Sequence, residues 1–165
     1  MLIVGCGCRG RSLAEALLAE GHVVRGTTRA ADNLAAIAAT GAEAVLADPD
    51  RIGTLMEALA GVSLVCWLAG TATGDPASVR ALHEDRLRML LERVVDTPVR
   101  GVIYEAAGDL GVEHYARGRA IVEAARDTWN LPVEIVGADP SAQAAWLAEM
   151  NAAARRLLTP DARGR

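Results

Sequence analysis

Three glycines, Gly5, Gly7 and Gly10, stand in the spacing G-x-G-x-x-G near the start of the chain, with Cys6, Cys8 and Arg9 between them. A turn of this kind between a strand and a helix serves an anion. The first glycine permits the tight turn, the second lets the backbone approach a diphosphate, and the third lets the helix pack closely on the strand. The free N–H groups and the positive end of the helix dipole then attract phosphate without needing a basic side chain. Gly5, Gly7, Cys8, Arg9 and Gly10 are therefore candidate binding residues, and the ligand that such a turn takes is a dinucleotide.

The choice among dinucleotides rests on the end of the next strand, about twenty residues on, where an acid usually holds the adenosine ribose of NAD. This sequence has Gly26, Thr27, Thr28 and Arg29 there. Hydroxyls and a guanidinium would bind a 2′-phosphate by charge-assisted hydrogen bonds, whereas an acid would repel it. Thr27, Thr28 and Arg29 thus point to NADP(H), with NAD(H) the less favoured alternative. Arg9 could reach the same phosphate from the other side.

Other chemistries are poorly served. Cys6 and Cys8 lack the second pair of ligands that a tetrahedral zinc site needs, so no metal is expected, although Cys8 at a helix N-terminus is a candidate for oxidation. The three cysteines are an odd count, which argues against a disulfide framework and fits a reducing cytoplasm. All 17 basic residues are Arg, so no side-chain amine is available for catalysis. A formal charge of −4 and no basic run argue against nucleic acid, and no leader or membrane-spanning apolar stretch is evident. His83, Glu84, Asp85 and His114 have no partner at a spacing that makes a site and are expected at the surface. Trp129 and Trp146 fall on apolar helical positions, in the core or at a subunit contact.

The elements that must carry these residues alternate. Strands are expected over residues 2–4, 22–27, 43–46, 62–68, 101–104 and 132–136. Helices follow each: one ended by Gly21, one capped by Asp32 and ended by Gly41, one over 55–59 after the turn and cap at 48–50, a long one over 79–94, one over 113–129, and a closing one over 141–158. The core must be built from Ala, Leu, Val and Ile, because aromatics make up 3% and Phe is absent. Strictly alternating strands and helices imply a doubly wound parallel α/β sheet, a Rossmann fold of about six strands with helices on both faces in three layers. One domain spans 1–158, and residues 159–165 are expected to form a mobile tail.

With these residues in view, the chain resembles the NAD(P)-binding domain of the extended and atypical short-chain dehydrogenases, especially the NmrA-like group. The likeness rests on the glycine turn, residues 21–29, Ala47-Asp48-Pro49-Asp50, Gly61-Val62-Ser63, Trp67-Leu68-Ala69-Gly70 and residues 100–104. It implies that Asp48 lies beside the adenine and that Leu68, Ala69 and Gly70 line the cofactor. It also implies a homodimer, held through the helices over 79–94 and 113–129.

The same resemblance makes Tyr115 the candidate catalytic acid, for reduction of a small carbonyl compound or an epimerase-like reaction. The family's Lys four residues later is replaced by Arg119, and Glu105-Ala106-Ala107-Gly108 stands where its Ser is expected. Arg holds its proton and cannot copy the lysine's contacts. A single helix follows the sixth strand, where extended members carry a substrate domain. The resemblance therefore implies either an oxidoreductase with a degenerate site, completed by a partner, or a non-catalytic redox sensor or interaction module that meets a protein partner.

Overall fold

The computed structural model describes residues 1–159. In chain order the elements are β1 (Leu2–Val4), α1 (Cys8–Ala19), β2 (Arg25–Thr28), a 3-10 turn (Ala31–Asn33), α2 (Leu34–Ala38), β3 (Glu43–Leu46), α3 (Ile52–Ala58) and β4 (Leu64–Trp67). They continue as α4 (Pro76–His83), α5 (Asp85–Val94), β5 (Gly101–Glu105), α6 (Val112–Trp129), β6 (Val133–Val136) and α7 (Gln143–Leu158). The strands form one six-stranded sheet in the order β3-β2-β1-β4-β5-β6, and every pairing is parallel. The order reverses between β1 and β4, which opens a crevice at the strands' carboxyl ends.

Side chains alternate across a pleated strand, and this sorts the core into two halves. Leu2, Val4, Val65, Trp67, Val102 and Tyr104 face one side, where α3, α5 and α6 cover them. Ile3, Leu64, Cys66 and Ile103 face the other, under α1, α2 and α7. The three expected layers result. Each helix buries one stripe: α1 through Leu13 and Leu17, α5 through Leu87, Leu90, Leu91 and Val94. A buried Leu of this kind contributes about 1.5–3 kcal/mol, so the stripes, not helix propensity, hold the helices in place.

Several boundaries differ from expectation. The second strand begins at Arg25 rather than residue 22, and Val23 is 81% exposed. Asp32 lies inside the 3-10 turn, and α2 starts without a side-chain cap. The cap expected from 48–50 is absent too, because the N-cap of α3 is Arg51, which makes no side-chain cap bond; Asp48 instead closes the turn by accepting the Asp50 N–H at 3.0 Å. The single helix over 79–94 is two, broken at Glu84 (φ −124°, ψ −99°). Asp75 and Pro76 set the start of α4, since the Asp75 carboxylate accepts from the amides of Ala77 and Ser78.

Trp146 is fully buried, but Trp129 is 39% exposed and stands outside the core. The expected tail lies, from residue 160 onward, outside the described residues.

Candidate functional site

The glycine turn is built as its spacing requires. Gly5 has φ +81°, and a Cβ there would stand 2.3 Å from the Leu68 carbonyl oxygen. A Cβ at Gly10 would press on Gly5 and on the Cys6 sulfur at 3.2–3.4 Å, the signature of a helix packed close to its strand. Gly7 is different: a Cβ would meet nothing within 4 Å. It is the N-cap of α1, which begins with no side-chain cap, so the first amides of that helix are left for an external acceptor. Cys6 points inward, and its amide is tied to the Thr27 carbonyl at 2.8 Å. Its thiol fits because Gly26 has no side chain, and burial pushes its pKa up to about 11.

The turn opens on a cleft of about 760 Å³. Gly5, Gly7, Cys8, Arg9 and Gly10 line one wall, Thr27, Thr28 and Arg29 the end of β2, and Leu68 and Ala69 the end of β4. Thus ten of the residues named from sequence come together. Asn33, Thr71 and Thr73, which sequence reasoning did not name, also face it. Their only signal was position in the loops after β2 and β4. Thr28 makes a local turn, its hydroxyl accepting the Ala30 N–H at 3.2 Å, while Arg29 is exposed and has no ion-pair partner among the described residues. An uncapped helix start, a glycine that a Cβ would obstruct and an unpaired guanidinium at the far rim fit a phosphorylated dinucleotide.

Three named residues stay out of the wall. Asp48 lies between Ala47 and Pro49, which do line the cleft, but its amide donates to the Thr54 hydroxyl at 2.9 Å and its carboxylate closes its own turn. Gly70 turns inward: its N–H donates to Glu105 Oε2 at 2.8 Å, and a Cβ there would stand 2.0 Å from the Ala107 carbonyl oxygen. Tyr115 is 7% exposed; its hydroxyl donates to the Gly70 carbonyl at 2.9 Å and accepts the Leu110 N–H at 3.1 Å. Burial pushes the Tyr115 phenol above its ordinary range.

Arg9 points away from Arg29. Its Nη2 reaches Glu105 Oε1 at 3.1 Å and donates to the Thr71 hydroxyl at 2.9 Å, and its guanidinium lies 5.3 Å from the Trp146 ring centre. It therefore stands at the β5 side of the turn rather than beside the end of β2. Glu105 is fully buried, and burial raises its carboxyl pKa, against the opposing pull of Arg9 and the Gly70 amide.

His83, expected at the surface, is fully buried. Its Nε2 lies 3.2 Å from the Ala69 carbonyl oxygen and its Nδ1 2.6 Å from the Tyr104 hydroxyl. The carbonyl can only accept, so Nε2 carries the proton and Tyr104 donates to Nδ1. Burial holds the imidazole below its ordinary pKa, so the neutral form fits. Gly118 on α6 makes room, since a Cβ there would strike the Tyr104 hydroxyl at 1.9 Å. The signal was available: Val79, His83 and Leu87 repeat every four residues along the buried stripe. Asp85 is exposed, and Glu84 pairs with Arg117 on the surface of α6 at 2.6 Å.

Among solved structures the chain is similar to a UDP-glucose 4-epimerase from Thermotoga maritima (13% identity, TM-score 0.68, covering 81% of this chain and 53% of that one). It is also similar to a UDP-glucuronic acid 4-epimerase from Bacillus cereus in complex with NAD (16%, TM-score 0.65, 81% and 54%). A third is a Citrobacter sp. triphenylmethane reductase complexed with NADP(H) (17%, TM-score 0.61, 81% and 47%). The chain spans about half the length of these proteins, and the likeness shows the fold. No curated protein matches significantly. The model of the NAD(P)H-binding family matches residues 5–128, the stretch that holds all of the cleft's lining except Val4, and this chain, a Rossmann domain in its fold, belongs to that family.

Proposed function

We propose that this domain binds NADP(H) in preference to NAD(H), with the diphosphate on the amides at the start of α1 and the 2′-phosphate against Thr28 and Arg29. The observation that carries this is Arg29: an exposed guanidinium at the end of β2, on the rim of the cleft, with no carboxylate paired to it among the described residues and no acid from Gly26 to Arg29. Thr27, Leu68 and Ala69 would form the floor. Asp48 would act through its neighbours, by shaping the turn that brings Ala47 and Pro49 to the adenosine end. When bound, the cofactor would supply hydride transfer, and the protein would supply its orientation.

The test is calorimetric titration of NADPH and NADH against the protein and against Arg29→Ala. A preference for NADPH that the substitution removes supports the reading; a preference for NADH, or indifference to the substitution, sinks it.

A second reading is a cofactor-holding sensor or interaction module without turnover of its own. The engagement of Tyr115 favours it, because a hydroxyl that already donates to Gly70 and accepts from Leu110 is committed to the loop rather than to a substrate. Were the domain an enzyme, reduction of a small carbonyl compound in the cytoplasm would be its reaction. A homodimer through α5 and α6 fits the groove of about 370 Å³ between them, where Leu91, Ile121 and the half-exposed Trp129 meet.

A further inference from the structure

A sheet of this order receives one mononucleotide over β1-β2-β3 and the other over β4-β5-β6. The cleft takes in the first half and, of the second, only its β4 side. It is lined from β1, β2 and β3 and their loops, and on the other side by β4 and the loop and helix that follow it; among the described residues, none from β5, α6, β6 or α7 reaches it.

Two independent contacts close the second half. Arg9 crosses from the glycine turn to Thr71 and Glu105 and lies against Trp146, so that one side chain ties α1 to the ends of β4 and β5 and to α7. Beneath it the loops after β4 and β5 touch through their backbones. The Asp109 N–H donates to the Gly70 carbonyl at 3.0 Å, and a Cβ at Gly108 would stand 1.8 Å from that same oxygen.

Resting on the NADP(H) reading above, we propose that the Arg9–Glu105 pair plugs the nicotinamide half of the site, so that the resting protein recognises the 2′-phosphorylated adenosine diphosphate portion of the dinucleotide. The ligand class is thus wider than an intact nicotinamide cofactor: any 2′-phospho-ADP-ribose derivative presents the recognised part. Arg9 is a plug rather than a phosphate ligand, because its Nη2 is held by a fully buried carboxylate on a side of the turn remote from Arg29.

Calorimetry with two probes, NADP and 2′-phospho-ADP-ribose, tests this without any variant. The wild-type protein is expected to bind them within about threefold of each other. In the Arg9→Ser/Glu105→Ser double variant, which removes both charges together and leaves neither buried and unpaired, NADP is expected to gain about tenfold over the truncated ligand. An advantage of about tenfold for NADP already in the wild type overturns the plug and leaves the NADP(H) reading standing, as does a double variant that binds both ligands as the wild type does. If the double variant does not fold, the wild-type ratio decides. Failure of both ligands to bind at millimolar concentration overturns the NADP(H) reading and the plug with it.

Discussion

The hydroxyl of Tyr115 donates to the carbonyl of Gly70 across 2.9 Å, linking the first turn of α6 to the loop that ends β4. The same oxygen accepts the Leu110 N–H at 3.1 Å, so a single phenol satisfies groups on two loops at once. With His83 held to Ala69 and Glu105 to the amide of Gly70, three side chains from three elements converge on one dipeptide. Gly70 itself has no room for a side chain. The floor of the cleft at β4 is therefore fixed from behind.

From this follows the behaviour of Tyr115→Phe. The Gly70 carbonyl keeps a donor in Asp109, but the Leu110 amide loses its acceptor, and a half-buried donor left unpaired costs about 1–2 kcal/mol. Thermal unfolding is expected to shift down by a few degrees, while NADPH affinity stays within about twofold. A variant with unchanged melting but no turnover on a carbonyl panel would instead restore the phenol as the catalytic acid.

His83 gives the fold a pH dependence of definite sign. Burial sets its folded pKa below the ordinary 6.5, so the unfolded chain takes up the proton first as the pH falls. Its contribution to stability is present above the unfolded value and is lost as the pH drops through the lowered folded value. Between about pH 7.5 and 5.5 the melting temperature of the wild type should therefore fall further than that of His83→Gln. Parallel curves for the two proteins over that window would show that the imidazole does not titrate there.

How much of this was readable beforehand varied by element, for physical reasons. Runs of apolar residues bounded by glycines placed β1 and β3 at their observed limits, and the glycine spacing placed the cleft. Residues 22–24 looked like strand because valines favour strands, yet β1 starts at Leu2, and pairing of β2 with it begins only at Arg25. The break at Glu84 was hidden because the apolar stripe runs straight through it, from Val79 and His83 to Leu87. Arg9 and Glu105 are 96 residues apart, and no local pattern announces a pairing across that distance. A carboxylate ending an otherwise apolar run at 102–105 was the one hint.

The first two glycines of the turn should separate folding from binding. Gly5→Ala forces a side chain into a φ of +81° and against the Leu68 carbonyl, which costs several times the roughly 1 kcal/mol of an ordinary glycine substitution. Gly7→Ala meets open space at φ −76°, and the N-cap preference for glycine offsets the stiffer unfolded chain, so stability should change by less than about 1 kcal/mol. Its methyl group nevertheless stands in the wall of the cleft, so dinucleotide affinity should drop by about tenfold. Equal melting curves for the two variants, or full affinity in Gly7→Ala, would contradict the assignment of the turn.

The contribution of Arg29 should depend on salt in a way that distinguishes it from the amides of α1. Arg29 is exposed, so its attraction for a doubly charged 2′-phosphate acts through water and is screened within about 8 Å at physiological ionic strength. On the proposed reading the amides at the start of α1 would contact the diphosphate directly and through aligned dipoles, and NADPH and NADH would make that contact alike. Raising the salt from about 0.05 to 0.5 M should thus narrow the ratio of NADPH to NADH affinity more than it weakens NADH itself. In Arg29→Ala the ratio should begin near unity and change little. If the ratio proves insensitive to salt in the wild type, the 2′-phosphate is held by buried groups such as Thr27, and the guanidinium on the rim is a bystander.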